Sequence, residues 1–157
     1  MATASASASA SSIESDVARD LLTLKVPNDL VAIPRVAAEL EAFCAAHAVP
    51  SRMVHRFNLA LEEVLANVIA HAFPTTGGHE IDVRIAYRDG GLQATVSDDG
   101  VAFDPLSQPA PDLHVPVEHR RIGGLGIHLL RTLAASADYR RDGDRNVLTF
   151  SLRTAHR

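Results

Sequence analysis

The chain has 157 residues, 46% of them hydrophobic, and a formal charge of -4. That supports one ordinary core and not two, and an acidic balance argues against a nucleic-acid footprint, which needs a basic patch. Lys25 is the only lysine and Cys44 the only cysteine, which excludes a Walker-type phosphate loop, a disulfide framework and a thiolate metal cluster.

Met1–Ser12 is an Ala/Ser tract with neither the basic region nor the apolar block of a secretory signal. Residues 1–19 are read as a disordered tail and 20–157 as the folded domain. No apolar run is long enough to span a bilayer, and a cytoplasmic location is the default expectation.

Asp20–Val26, closed by Pro27, reads as an edge strand. Asn28 or Asp29 can cap a helix running to about His47, with Pro34 tolerated near its first turn and Val36, Leu40, Phe43, Cys44 and His47 on one face. After Pro50, Ser51 is the expected cap of a second helix. That helix should run to about Ala72, with Met53, Phe57, Ala60, Leu61, Val64 and Val68 as its apolar stripe.

A hairpin follows, because Ile81, Val83, Ile85 and Tyr87 alternate with polar or small residues. Its turn is Asp89-Gly90-Gly91, and Leu92–Ser97 returns. Residues 104–122 hold four of the eight prolines and read as a flap or a disordered stretch. Gly124–Ser136 reads as a helix, and Asp138–Arg141 with Asn146–Leu152 closes the sheet around Asp142-Gly143. The expected fold is α+β, a two-layer sandwich with helices on one face of a mixed, mostly antiparallel sheet.

Three stretches carry the chemistry. In Leu61–Phe73 (LEEVLANVIAHAF), Glu63 and Asn67 are four apart, so on a helix they sit about 40° apart on one face, and Glu62 does not share it. An Asn carbonyl suits magnesium as a hard, uncharged oxygen ligand, and a carboxylate one turn away can accept a hydroxyl proton. The alternative is an Asn bonded within the core and a solvated Glu, and His71 is read as a hydrogen-bonded histidine in the core or beside the site, not as a ligand.

In Val96–Pro105 (VSDDGVAFDP), Asp98 ends a strand. Its carboxylate can accept a hydrogen bond from the exocyclic amine of adenine, Gly100 lets a flat base approach, and Asp99 points the other way. An Asp-Asp-Gly turn without ligand is the alternative. In Gly123–Leu130, Gly123-Gly124-Leu125-Gly126 opens a helix whose N–H groups can face phosphates, or forms a hinge. Arg120 or Arg121 can reach a terminal phosphate or be a solvated pair. The three stretches in this order point to an ATP-binding protein.

The combination resembles the ATPase domain of the gyrase and histidine-kinase superfamily, and more narrowly its stand-alone branch, the anti-sigma-factor serine kinases of bacteria. The similarity covers about residues 20–152: LEEVLANVIAHAF resembles the N box, VSDDGVAFDP the first glycine box, GGLGIHLL the second, and Asn146–Leu152 the last strand. The resemblance implies ATP and Mg2+ as cofactors, Glu63 as catalytic base, Asn67 as metal ligand, Asp98 as adenine ligand with Gly100 beside it, Gly124 and Gly126 near the phosphates, and Thr149 near the adenine. It also implies phosphorylation of a serine on a small antagonist protein, sequestration of a sigma factor in many members, and a homodimer. Two other functions stay open: a nucleotide-gated module that binds its partner without phosphorylating it, and an ATPase that turns over alone.

Overall fold

The computed structural model describes residues 20–109 and 125–154. The expected tail (1–19) and most of the expected flap, with Arg120, Arg121, Gly123 and Gly124, lie outside them. The strands are β1 (Leu21–Pro27), β2 (Glu80–Arg88), β3 (Gly91–Asp98), β4 (Ser136–Asp142) and β5 (Arg145–Arg153). The α-helices are α1 (Ile33–Ala46), α2 (Ser51–His71) and α3 (Leu125–Leu133), and Leu30–Ala32 and Pro105–Ser107 are single 3-10 turns.

The sheet order is β1-β2-β3-β5-β4, and every pairing among the described strands is antiparallel. The expected mixed sheet is therefore purely antiparallel here. The connection from β3 through α3 drops β4 at the outer edge, and the β4–β5 hairpin brings β5 back beside β3, running against it. The β2–β3 turn places Asp89 at φ 52° and Gly90 at φ 70°, the left-handed pair that matches strand twist.

Alternation divides the sheet into two faces. Ile81, Val83, Ile85, Leu92, Ala94, Val96, Leu148, Phe150 and Leu152 are buried beneath the helices, where Phe57 of α2 packs on Phe150 with ring centroids 5.2 Å apart. The other face is polar: Asp82 pairs with Lys25 at 2.5 Å and with Arg145 at 2.6 Å. The Lys25 hydrogen bond, aided by the Arg145 charge, holds the Asp82 carboxyl below its ordinary value.

α2 buries Met53, Phe57, Ala60, Leu61, Val64, Leu65, Val68 and Ile69, so the expected stripe is present and wider by two residues. α1 buries Val36, Leu40 and Cys44, and burial pushes the Cys44 thiol up to about 11, which keeps it protonated.

Four boundaries differ from expectation. Pro50, not Ser51, caps α2, because its carbonyl receives the first helical N–H groups from Met53 and Val54. Asp29 caps only the short 3-10 turn, accepting from Val31 N, and α1 begins at Ile33. Asn28 is fully buried and ties the end of β1 to the loop after α2: its amide donates to Thr75 O and accepts from His79 N. α3 stops at Leu133, since Ala135 N turns from the helix to Ser151 O and starts β4 two residues early.

Candidate nucleotide site

The site is organised by the C-terminal half of α2. Glu63 and Asn67 lie half-buried on one wall of a cleft of about 420 Å³, which Asp29, Ala66, Ala70 and Thr75 help to line. Asn67 Nδ2 donates to the Glu63 carbonyl at 2.7 Å. With the amide anchored through its nitrogen, Oδ1 is the end left to act as an acceptor or ligand. Glu62 lies off this face, with Asn58 donating to its carboxylate. His71 is exposed on the lining of the same cleft and stacks on Phe103, centroids 4.9 Å apart, so it stands beside the site and not in the core.

Asp98 ends β3 on the inner face and is 1% exposed. Gly100 N and Asn146 Nδ2 both donate to its Oδ1 at 2.9 Å. Oδ2 accepts nothing from the described residues. Burial pushes the Asp98 carboxyl above its ordinary value, aided by the Asp99 charge and opposed by those two hydrogen bonds and the Arg141 charge. Asp99 points away, as alternation requires, and lies 3.4 Å from His79.

Gly100 has a reason to be glycine other than room for a base. A Cβ there would stand 2.3 Å from the Ala72 carbonyl oxygen and 2.8 Å from its carbon. The contact seats the Asp98 turn on the end of α2, where Val101 N donates to Ala72 O at 2.8 Å. Asp98 does not line the cleft of Glu63 and Asn67, but this junction ties it to the same helix end. Gly100→Ala should therefore cost about 1–3 kcal/mol of stability through overpacking against backbone that cannot swing aside. A chemical-denaturation midpoint equal to that of the wild type would show that the junction relaxes freely.

Thr149 is not near Asp98. It lies on the polar face of the sheet, its hydroxyl 3.2 Å from that of Thr95. The β5 residue opposite Asp98 is Asn146, 4% exposed and on the inner face. Counting back in twos from the buried Phe150 finds it, because period-2 alternation puts 148 and 146 on the same side.

Arg131 is a second residue that the sequence motifs do not reveal. Its guanidinium donates to Leu106 O and, at 2.6 Å, to Gln108 O, pinning the start of the proline-rich loop to α3. Leu125 and Gly126 open α3, which puts the second glycine-rich stretch at that helix's N-terminus.

The described residues contain no helix long and apolar enough to cross a membrane and no cluster of metal-ligating His, Cys, Asp and Glu. A model of the histidine kinase-like ATPase domain matches residues 26–152. Serine/threonine-protein kinase BtrW of Bordetella bronchiseptica is 31% identical over 104 residues, covering 64% of this chain and 72% of that one. Serine-protein kinase RsbW of Listeria monocytogenes is 28% identical over 120 residues, covering 73% and 75%. Against RsbW of Bacillus cereus the chain spans only 61% of the relative's length, at 31% identity.

The fold agrees with that of the crystal structure of the RsbU and RsbW domains of Rv1364c from Mycobacterium tuberculosis. The TM-score is 0.60 at 18% identity, over 85% of this chain and 32% of that one. With a domain match from β1 to β5 and the same fold in a solved relative, the chain belongs to the family of histidine kinase-like ATPase domains, and the relatives it matches there are serine/threonine-protein kinases.

Proposed function

We propose that this chain is an ATP-dependent serine/threonine protein kinase of the anti-sigma-factor type. It phosphorylates a serine on a small antagonist protein and regulates transcription by partner switching, with a sigma factor as the competing partner and a homodimer as the working form. The observation that carries the reading is the pairing of Glu63 with Asn67 on one cleft wall of a histidine kinase-like ATPase fold. A domain that only bound nucleotide would have no need of a carboxylate beside the amide.

The residues divide the task. Asp98 Oδ2 accepts from the exocyclic amine of adenine. The N–H groups opening α3, at Leu125 and Gly126, face the phosphates, and the glycine-rich stretch assigns Gly123 and Gly124, outside the described residues, to the same role. Asn67 fits a metal because its Oδ1 is a neutral oxygen left over after Nδ2 bonds to Glu63 O. It would hold Mg2+, which neutralises phosphate charge when bound. The serine Oγ attacks the γ-phosphorus, the bond to the β-γ bridging oxygen breaks, ADP leaves, and Glu63 takes the hydroxyl proton.

The test is to mix the chain with labelled ATP and a candidate small antagonist protein from the same organism, then look for phosphoserine. Transfer supports the kinase. A stable complex with no label on the antagonist would refute it in favour of a nucleotide-gated binding module, and sustained ADP release without any partner would refute it in favour of a stand-alone ATPase.

A further inference from the structure

Asn146 is buried at the centre of five hydrogen bonds. Its Nδ2 donates to Asp98 Oδ1 at 2.9 Å and Val101 O at 2.8 Å. Its Oδ1 accepts from Phe103 N at 3.1 Å, Tyr139 Oη at 2.8 Å and Arg141 Nη1 at 3.0 Å. The neighbours fix the amide's orientation. A carboxylate and a carbonyl demand the NH2 end, and a backbone N–H and a guanidinium demand the oxygen. Arg141 also donates to Gly100 O at 2.9 Å, so the turn is held from both sides.

We infer that Asn146 is a positioning residue for purine recognition: it holds Asp98 Oδ1 so that Oδ2 alone is presented to the amine of adenine, and it fastens the 101–103 segment to that carboxylate. The inference rests on the adenine role proposed for Asp98. It goes further by assigning the discrimination between a 6-amino and a 6-oxo purine to a residue that touches neither. Without the amide, the carboxylate keeps only the Gly100 N–H and can rotate, and an acceptor misplaced by a fraction of an ångström loses most of its directionality.

No other side-chain type of this size serves. Aspartate has the same shape but would place an acceptor, and a second charge, against Asp98. Leucine fills the space and bonds to nothing. The charges acting on Asp98 are those of Arg141 from β4 and, from its own turn, the outward-pointing Asp99. In an Asn146→Asp chain, Arg141 would have to balance three carboxylates.

The experiment measures ATP and inosine triphosphate affinity by calorimetry at neutral pH and in steps toward acid pH, for the full chain and three variants. The wild type should favour ATP and lose affinity as pH falls through the raised pKa of Asp98, because protonating it removes a charged acceptor. Asn146→Ala should weaken ATP by about tenfold while changing the inosine nucleotide little, so that the ratio collapses. Asn146→Asp should reverse the pH trend, binding ATP better toward acid pH, where a shared proton restores a donor between the two carboxylates. Tyr139→Phe removes one hydroxyl from the far side of the amide on an edge strand, and should lower the ratio by about twofold to threefold if the larger changes prevent folding.

A purely structural role for Asn146 would weaken both nucleotides equally and leave the pH trend unchanged. That result in the Ala or Asp variant, or an unaltered ratio in Tyr139→Phe, overturns the inference. A wild type that does not distinguish the two nucleotides overturns the adenine role of Asp98 itself, and this inference with it.

Discussion

Glu63→Gln is expected to lower phosphoryl transfer to the antagonist by about 10²–10⁴-fold, with ATP affinity nearly unchanged. That loss corresponds to about 2.7–5.5 kcal/mol of transition-state stabilisation. The amide keeps the size and polarity of the side chain but cannot take up the serine proton. The position lies in the cleft wall, one helical turn from Asn67, and the bond between the two uses the Glu63 backbone carbonyl, which the substitution leaves in place. The proposed Mg2+ ligand should therefore keep its orientation. Single-turnover transfer measured beside calorimetric ATP binding separates the effects. Unchanged transfer would remove Glu63 from the chemistry, and a parallel loss of ATP affinity would make it a binding residue.

The parts of the fold governed by strong periodicity were legible in the sequence. The 3.6-residue stripe of α2 puts Glu63 and Asn67 on one wall, and strand alternation sends Asp99 outward to His79 while Asp98 stays inside. Thr149 departs from the expectation because the family resemblance gives its place along the last strand and not the face it occupies. The same alternation, applied from Phe150, leads to Asn146. Gly100 illustrates a different limit. The sequence offers room for a base or an ordinary turn as its role, but the space a Cβ would need is taken by the end of α2, 28 residues earlier in the chain, and local sequence holds no record of that approach. The boundaries at Pro50 and Ala135 depend on which carbonyl receives each N–H, a choice made by neighbouring elements.

Asp98→Asn should produce opposite effects on the empty and the nucleotide-bound protein. ATP affinity should fall by about 10–100-fold, because a charged acceptor for the amine is replaced by a neutral group that presents a donor there. The empty chain should become more stable at neutral pH. Burial raises the folded-state pKa of Asp98 above its unfolded value. For a group shifted in that direction, stability is fully present below the unfolded pKa and is lost as pH rises through the folded one. Ionised Asp98 is therefore a cost that the apo protein carries at pH 7, and asparagine removes it. The asparagine Oδ1 can still accept from Gly100 N and Asn146 Nδ2, so the turn keeps its hydrogen bonds.

Thermal unfolding should show the variant a few degrees above the wild type without nucleotide, with the gap closing toward acid pH as Asp98 takes up its proton. With ATP at about a hundred times the wild-type Kd, the wild type gains about 2.7 kcal/mol and the variant far less, so the order should invert. A variant that is less stable when empty would mean that the ionised carboxylate holds the turn together. A variant that keeps the full ATP-induced shift would show that the amine of adenine is recognised elsewhere, and Asp98 would then be a structural acid.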